Sequence, residues 1–406
     1  MTILLSDNVV SSLGFTTDEN YRNVKQGVCG LTYFEDRYDL PEPFMASEID
    51  DERLNEAFDK VSADYSDLLE KSDMDEEKRR NLLKTRKSIK YTKLEKAAIV
   101  SIAEALKGTA IDTTNDDEVL FILSTTKGNV FLLDENEKEG YHHKQLYLWY
   151  SANLISEFFG NINAPFVVSN ACVSGASALI TAQRELQARR CSYAIVTGVD
   201  VLSKFIVSGF QSFKALSQEA CKPFDINRTG LNIGEAVATI ILTERPAGVC
   251  NSGEIELTAG AIRNDANHIS GPSRTGDGAF LALRFVLSGI DPDDIAFVCA
   301  HGTATPYNDE MESAALTRAG LQDAPVYSLK GYFGHTLGAA GVLESVISVQ
   351  ALKEGTLLKT LGCEMPGVAC PLNVVMENRK TTKRRFIKML SGFGGCNAAM
   401  LFTKRY

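Results

Sequence analysis

The chain has 406 residues, 44% of them hydrophobic and 23% charged, which is enough apolar material for one large core or two medium ones. Its net charge of −10 argues against non-specific nucleic-acid binding, so an acidic partner would need a local basic patch. No apolar run reaches the roughly 20 residues of a membrane span, and the opening MTILLSDNVVSSLGF lacks the features of a signal peptide, so a cytoplasmic protein is expected.

Near the start, MTILL reads as a short β run. Residues from about 36 to 90 are polar and charged and read as a surface excursion. The stretch EEKRRNLLKTRKSIKYTKLEKAAIVSIAEAL turns from basic to apolar, as one helix passing from the surface into the core would. A strand–helix alternation follows. DEVLFILST and APFVVSN are β-rich, and CVSGASALITAQRELQARR carries Ala176, Leu179, Ile180 and Leu186 at helical spacing. CSYAIVTGV is a strand, and GEAVATIILTE is the strand that closes a first half, bounded at 1–248. In the second half, 249–406, IAFVCAHGT and APVYSLK are strands, HTLGAAGVLESVISVQALKEG is a helix, and RRFIKMLSGFGGCNAAMLFTK is two strands around a glycine turn. The runs from Ala164 through Cys172 and from Ala324 through His335 share one plan, Ala-Pro, short strand, reactive residue, small-residue helix. That plan hints at a duplicated α/β unit.

Nine cysteines are scattered, and Cys29, Cys191, Cys221, Cys250, Cys363 and Cys370 read as reduced thiols. Cys363 and Cys370 have no matching His or Cys cluster, so no metal site is expected. Cys172 stands apart because it opens a helix, where unpaired N–H groups would lower a thiol pKa, and Ser174, Gly175 and Ala176 would leave room for an acyl group. Taken alone it reads more readily as a small buried core thiol. His301 follows an apolar strand in HGTAT, a place where α/β proteins bind ligands, and Thr303 and Thr305 add hydroxyls. His335 precedes another helix, where a neutral imidazole donating through N–H is expected. Lys330, Asp309 and Glu312 are either surface charges or a buried network holding the two imidazoles. His142 and His143 read as surface residues. Gly392-Phe393-Gly394-Gly395 makes a tight turn able to bring N–H groups to a carbonyl, or a plain hairpin.

Together, a Cys opening a small-residue helix, HGTAT, SLKGYFGHTLGAAG and SGFGGCNAAM resemble the β-ketoacyl-[acyl-carrier-protein] synthase family, in its elongating Cys-His-His branch. CKPFDINRTGLNIGEAVATIILTE and VVSSLGFTTDENYRNVKQGVCGL extend the resemblance over nearly the whole chain. It implies a thiolase-like α/β fold of two similar halves in five αβαβα layers, usually a homodimer, with a heterodimer of related subunits as the alternative. It implies Cys172 as acyl acceptor, His301 and His335 as the decarboxylating pair, and Lys330 with Glu312 and Asp309 as supporting charges. It also implies an oxyanion hole from the N–H groups of Cys172 and Phe393, with Phe393 as gate, and pantetheine contacts from Thr303 and Thr305. No metal or organic cofactor is called for. The partners would be an acyl-carrier protein and its acyl and malonyl thioesters, docked on Lys84, Arg86, Lys87 and Lys90, with Lys214 near the pantetheine phosphate. Asn170 before Ala171, Ala236, Cys396 and the shortened first β run depart from common members and suggest a divergent enzyme of secondary metabolism, of polyene or pigment type. The rival functions are a non-catalytic chain-length-factor-like partner, and a thiolase or initiating synthase that uses coenzyme A.

Overall fold

The computed structural model describes residues 1–70, 75–115, 117–246, 248–249 and 251–406; Cys250 lies outside them. Eleven strands form one continuous ladder. They are β1 (Thr2–Ser11), β2 (Val119–Ser124), β3 (Phe166–Val168), β4 (Tyr193–Asp200), β5 (Ala236–Glu244) and β6 (Ile255–Asn264), then β7 (Ile295–Cys299), β8 (Pro325–Tyr327), β9 (Asn373–Val374), β10 (Arg385–Gly392) and β11 (Cys396–Lys404). Their order is β9-β8-β7-β10-β11-β6-β1-β5-β4-β2-β3. The first half therefore runs β3-β2-β4-β5-β1 and the second β8-β7-β10-β11-β6. Each opens on parallel pairs and finishes on antiparallel ones. The halves meet where Thr2–Leu4 of β1 pairs antiparallel with Ile255–Leu257 of β6.

The helices are α1 (Thr17–Lys25), α2 (Asp51–Glu70), α3 (Glu76–Ser88), α4 (Lys93–Leu106), α5 (Leu148–Phe158) and α6 (Ser174–Gln187), followed by α7 (Lys204–Ser212), α8 (Asp277–Val286), α9 (Pro306–Arg318), the short α10 (Lys330–Phe333) and α11 (Ala340–Glu354). Strand alternation shows how they layer. In β5, Ala238, Ile240 and Leu242 pack with α6 and α11, whereas Val237 and Ile241 pack with α4 and α5. In β11, Ala398, Met400 and Phe402 face the same inner helices, whereas Ala399 and Leu401 face α8 and α9. The result is five layers with α6 and α11 between the two halves of the sheet. Because both faces are covered, β4, β5 and β7 read as largely apolar runs.

Two expectations change. MTILL is the start of a full ten-residue strand, which tolerates polar Ser6, Asp7 and Asn8 past a bulge after Leu4. The long amphipathic stretch is two helices, because Thr92 caps α4: its hydroxyl accepts the Glu95 N–H at 3.2 Å while Glu95 accepts the Thr92 N–H at 2.9 Å.

The inner helices cross in backbone contact. A Cβ on Gly341 would lie 2.3 Å from the Ala176 nitrogen, and one on Gly175 would lie 2.9 Å from the Gly338 oxygen. The small residues after Cys172 therefore make room for α11 rather than for an acyl group. We expect Gly341→Ala to destabilise the fold by about 1–3 kcal/mol, since the obstacle is main chain. Gly209→Ala in α7, where a Cβ meets nothing within 4 Å, should be neutral or mildly stabilising. Urea unfolding of the two variants checks both, and equal midpoints would contradict the crossing.

Candidate active site

Cys172 sits in the turn between β3 and α6. Val173 and Ser174 donate to the carbonyls of Asn170 and Ala171 at 3.2 Å, and the Ser174 hydroxyl bonds the Ala171 carbonyl at 2.5 Å while accepting the Asn170 N–H at 2.8 Å. Ala171 is held at φ 45°, a left-handed conformation costly to a residue with a Cβ. The strain turns the thiol into a cavity that also contains His301 and His335. Burial pushes the Cys172 thiol up to about 12, with Lys330 and the N–H groups of Phe393 and Cys172 pulling it down and Asp200 pulling it up. The expectation of a lowered pKa is thus reversed in the resting enzyme: α6 begins two residues later, and desolvation outweighs its terminus.

His301 leaves the end of β7 on a loop fixed by two buried carboxylates. Glu312 accepts the N–H groups of His301 at 2.7 Å and Gly302 at 2.6 Å, and Asp309 accepts those of Thr303 at 3.0 Å and Phe224 at 2.8 Å. Burial pushes Glu312 up to about 7 and Asp309 up to about 6. His335 is held by its main chain between Asn232 and Gly234, donating at 2.6 Å and accepting at 3.1 Å. The rings stand edge to face with centroids 5.0 Å apart. His335 Nδ1 accepts the Leu337 N–H at 3.3 Å, so its proton is assigned to Nε2, which is buried without a partner. His301 Nδ1 is likewise buried and unpartnered. Desolvation first, then the positive charge of Lys330, holds both imidazoles well below the usual histidine range, hence neutral. A 3-10 turn, Leu337–Ala339, starts two residues after His335 and runs into α11, so the ring stands at a helical start as expected, with desolvation the largest cause of its neutrality.

The charged network differs from the expected one. Lys330 is fully buried, but it pairs with Glu344 of α11 rather than with Asp309 or Glu312. Glu344 also pairs with Lys388 at 2.5 Å. Sequence reading missed both, although an acid inside apolar GVLESVISV and a lysine inside FIKML were visible. It also missed Asp200, buried at the end of β4, which accepts from Thr125 at 2.7 Å, Thr126 at 3.0 Å and Gly338 at 2.7 Å. Asp200 thereby ties the end of β2 to the turn after His335.

At the cavity mouth stand Thr303 and Thr305, their hydroxyls 2.8 Å apart, and Lys214. Phe393 closes one side, stacked on Phe210 at 5.8 Å and edge-on to Phe213 at 5.3 Å. Gly392 brings the glycine turn against the nucleophile, where a Cβ would sit 3.1 Å from the Cys172 nitrogen. The backbone N–H groups of Phe393 and Cys172 lie near the Cys172 sulfur and favour its anionic form. Cys396 is outside the lining, its sulfur 3.6 Å from the Asn264 amide. His142 and His143 are exposed.

The proposed docking helix does not hold as a set. Arg86 is buried, its guanidinium 4.3 Å from the Phe158 ring centre, and burial lowers it to about 10. It faces inward because its stretch of α3 lies over the aromatic cluster of α2 and α5, so it offers no charge to a partner. Lys84 is exposed, and Lys90 is exposed with its ammonium over Tyr141 at 4.1 Å. Lys87 lies on the same helix, and its side chain is outside the described residues. Lys84, Arg86 and Lys90 do not line the cavity; Lys214 does. Among the described residues, no three His, Cys, Asp or Glu side chains converge as a metal-binding set, and no helix is long and apolar enough to cross a membrane.

Residues 7–247 match the family described as beta-ketoacyl synthase, N-terminal domain, and residues 255–364 match its C-terminal domain. The mitochondrial 3-oxoacyl-[acyl-carrier-protein] synthase of Arabidopsis thaliana is 34% identical over 255 residues, spanning 57% of this chain and 55% of that one. A ketosynthase solved in complex with its chain length factor, from Xenorhabdus doucetiae, superposes with a TM-score of 0.82 at 23% identity over 99% of this chain and 98% of that one. A beta-ketoacyl synthase from Burkholderia phymatum STM815 does so with a TM-score of 0.81 at 24% identity, over 100% and 99%. At these identities the structures speak to the fold, and it is the same thiolase-like one.

Proposed function

The chain belongs to the beta-ketoacyl synthase family, and from that premise we propose the reaction its site performs. It is a β-ketoacyl-[acyl-carrier-protein] synthase. Cys172 attacks the thioester of an acyl-carrier protein, the pantetheine sulfur leaves with the thiol proton, and an acyl-enzyme remains. Malonyl-carrier protein then loses carbon dioxide as its carbon–carboxylate bond breaks. The electron pair moves onto the thioester oxygen as an enolate, which receives the Nε2–H of His335 and a hydrogen bond from His301. The enolate carbon attacks the acyl-Cys172 carbonyl. The oxyanion so formed lies against the N–H groups of Cys172 and Phe393; it collapses, the bond to sulfur breaks, the β-ketoacyl-carrier protein two carbons longer is released, and the Cys172 thiolate takes a proton from water to restore the thiol.

The observation that carries this reading is the convergence on one cavity of Cys172 and two neutral imidazoles with free ring nitrogens, with the glycine turn of Phe393 packed against the nucleophile. Presence of all three reactive side chains also weighs against a non-catalytic chain-length-factor role, and the histidine at 335 against a coenzyme A-using thiolase. Lys330 and Glu344 support the imidazoles, Glu312 and Asp309 hold the His301 loop, and Thr303 and Thr305 meet the pantetheine arm. Lys214 at the mouth is the better candidate for the phosphate, and Lys84 and Lys90 remain for the carrier protein's acidic face. The enzyme works in the cytoplasm, in keeping with eight free cysteines among the described residues. It works as a dimer through the β3 edge, where Phe166, Ile162 and Trp149 stand exposed. The halves 1–248 and 249–406 supply the nucleophile and the histidines respectively, and the departures at Asn170 and Cys396 fit a secondary-metabolism substrate.

Incubation with a panel of acyl-carrier proteins, read by intact mass, should add one acyl mass, and malonyl-carrier protein should then release carbon dioxide with a β-ketoacyl product. No adduct from any acyl-carrier protein, with adducts from coenzyme A thioesters instead, would transfer the enzyme to the rival class.

A further inference from the structure

Lys388 is a lysine whose side chain is fully buried, in the middle of β10 between Ile387 and Met389. Burying an ammonium is costly unless every donor is used, and here each is. Its Nζ pairs with Glu344 Oε2 at 2.5 Å and donates to the carbonyls of Met389 at 2.7 Å, Ala300 at 3.1 Å and Cys299 at 3.3 Å. Cys299 and Ala300 are the last two residues before His301. The other oxygen of Glu344 holds Lys330, at the start of the α10 turn that leads to His335. β10 itself runs on to Gly392 and the Phe393 N–H. One carboxylate therefore joins, through two ammonium groups, the segments that carry His301, His335 and the oxyanion-hole turn. Both imidazoles feel the positive charge of Lys388 as well as that of Lys330.

We propose that Lys388 is a positioning residue for decarboxylation: through Glu344 and the Cys299 and Ala300 carbonyls it sets where His301 stands relative to His335. Touching neither Cys172 nor the cavity lining, it acts on the geometry of the pair. The inference rests on the synthase reading above, and its test keeps the two apart by measuring the half-reactions separately.

In Lys388→Met, which keeps the volume and loses the charge and the donors, acyl transfer to Cys172 should stay within about 3-fold. Carbon dioxide release from malonyl-carrier protein should fall about 10- to 100-fold in kcat, with KM little changed. Glu344→Gln should show the same split, and the double variant should be no slower than the slower single one, because the two act as one unit. Should the Met variant fail to fold, Lys388→Gln, which retains a donor for the carbonyls, serves in its place and is expected to show the same split. Equal loss in both half-reactions would make Lys388 a fold residue only. Unchanged decarboxylation, or multiplied losses in the double variant, would also overturn the proposal. If the wild type forms no acyl-enzyme, the synthase reading itself falls.

Discussion

Replacing Cys172 with alanine should abolish the acyl adduct and lower condensation by at least about 10⁴-fold, because no other thiol among the described residues lines the cavity. The same variant should still release carbon dioxide from malonyl-carrier protein. Decarboxylation needs the two imidazoles, and these are held by Glu312, Asn232, Gly234 and Glu344 rather than by the sulfur. Loss of one half-reaction with survival of the other is what separates a nucleophile from a residue that supports the fold. Mass spectrometry of the acyl-enzyme and a carbon dioxide assay read the two halves. An adduct that persists in Cys172→Ala, or that maps to Cys396, would refute the assignment.

The histidine variants should show the opposite pattern. His335→Ala removes the Nε2–H donor aimed into the cavity, and a single lost donor to a developing oxyanion costs about 10²–10³ in rate. His301→Ala should cost as much, since its ring stands edge-on to that of His335 in the same cavity. Acyl loading of Cys172 should fall far less in either. Because desolvation and Lys330 hold both rings neutral, neither imidazole should give the decarboxylation rate an acid limb between about pH 5 and 7, where an ordinary imidazole would charge; a limb there should belong to Glu312 or Asp309, raised by burial to about 7 and about 6, and vanish in Glu312→Gln or Asp309→Asn. A rate that still drops as pH falls through about 6.5 in both amide variants would mean that one ring titrates normally and the neutral-donor mechanism is wrong. Near wild-type condensation in both alanine variants would also refute it.

Much of this site was legible in the sequence because its residues sit at strand ends and tight turns, where chain punctuation is strongest. Gly334 before His335 and the glycines around Phe393 mark such places, and HGTAT follows an apolar strand. Most strands of both halves could be read because, buried on two faces, they are apolar runs between turns; β6 and β9 escaped, β6 because half of IELTAGAIRN is small or polar and β9 because it is two residues long. What periodicity could not give is partner choice among buried charges. Lys330 has acidic candidates at 309, 312 and 344, and only the crossing of α10 and α11 selects Glu344. Lys388 escaped because a lysine in a strand normally faces solvent. Arg86 was misjudged because a basic run says nothing of which helix face meets Phe158. The cysteine's raised pKa escaped because burial depth is a tertiary property.

The back-to-back contact of α6 and α11 bears on how the polypeptide is made. The first half leaves the ribosome with the inner face of its sheet and one flank of α6 uncovered, and their cover is α11, more than 150 residues downstream of α6. At ordinary elongation rates that interval lasts on the order of ten seconds. Throughout it Val173, Ala176 and Ile180 have no permanent neighbours on that side. Such a nascent chain must either be shielded by a chaperone or remain loosely collapsed until translation brings the second half. The glycines at 175 and 341, by letting the two helices meet main chain to main chain, then close the core in one late event.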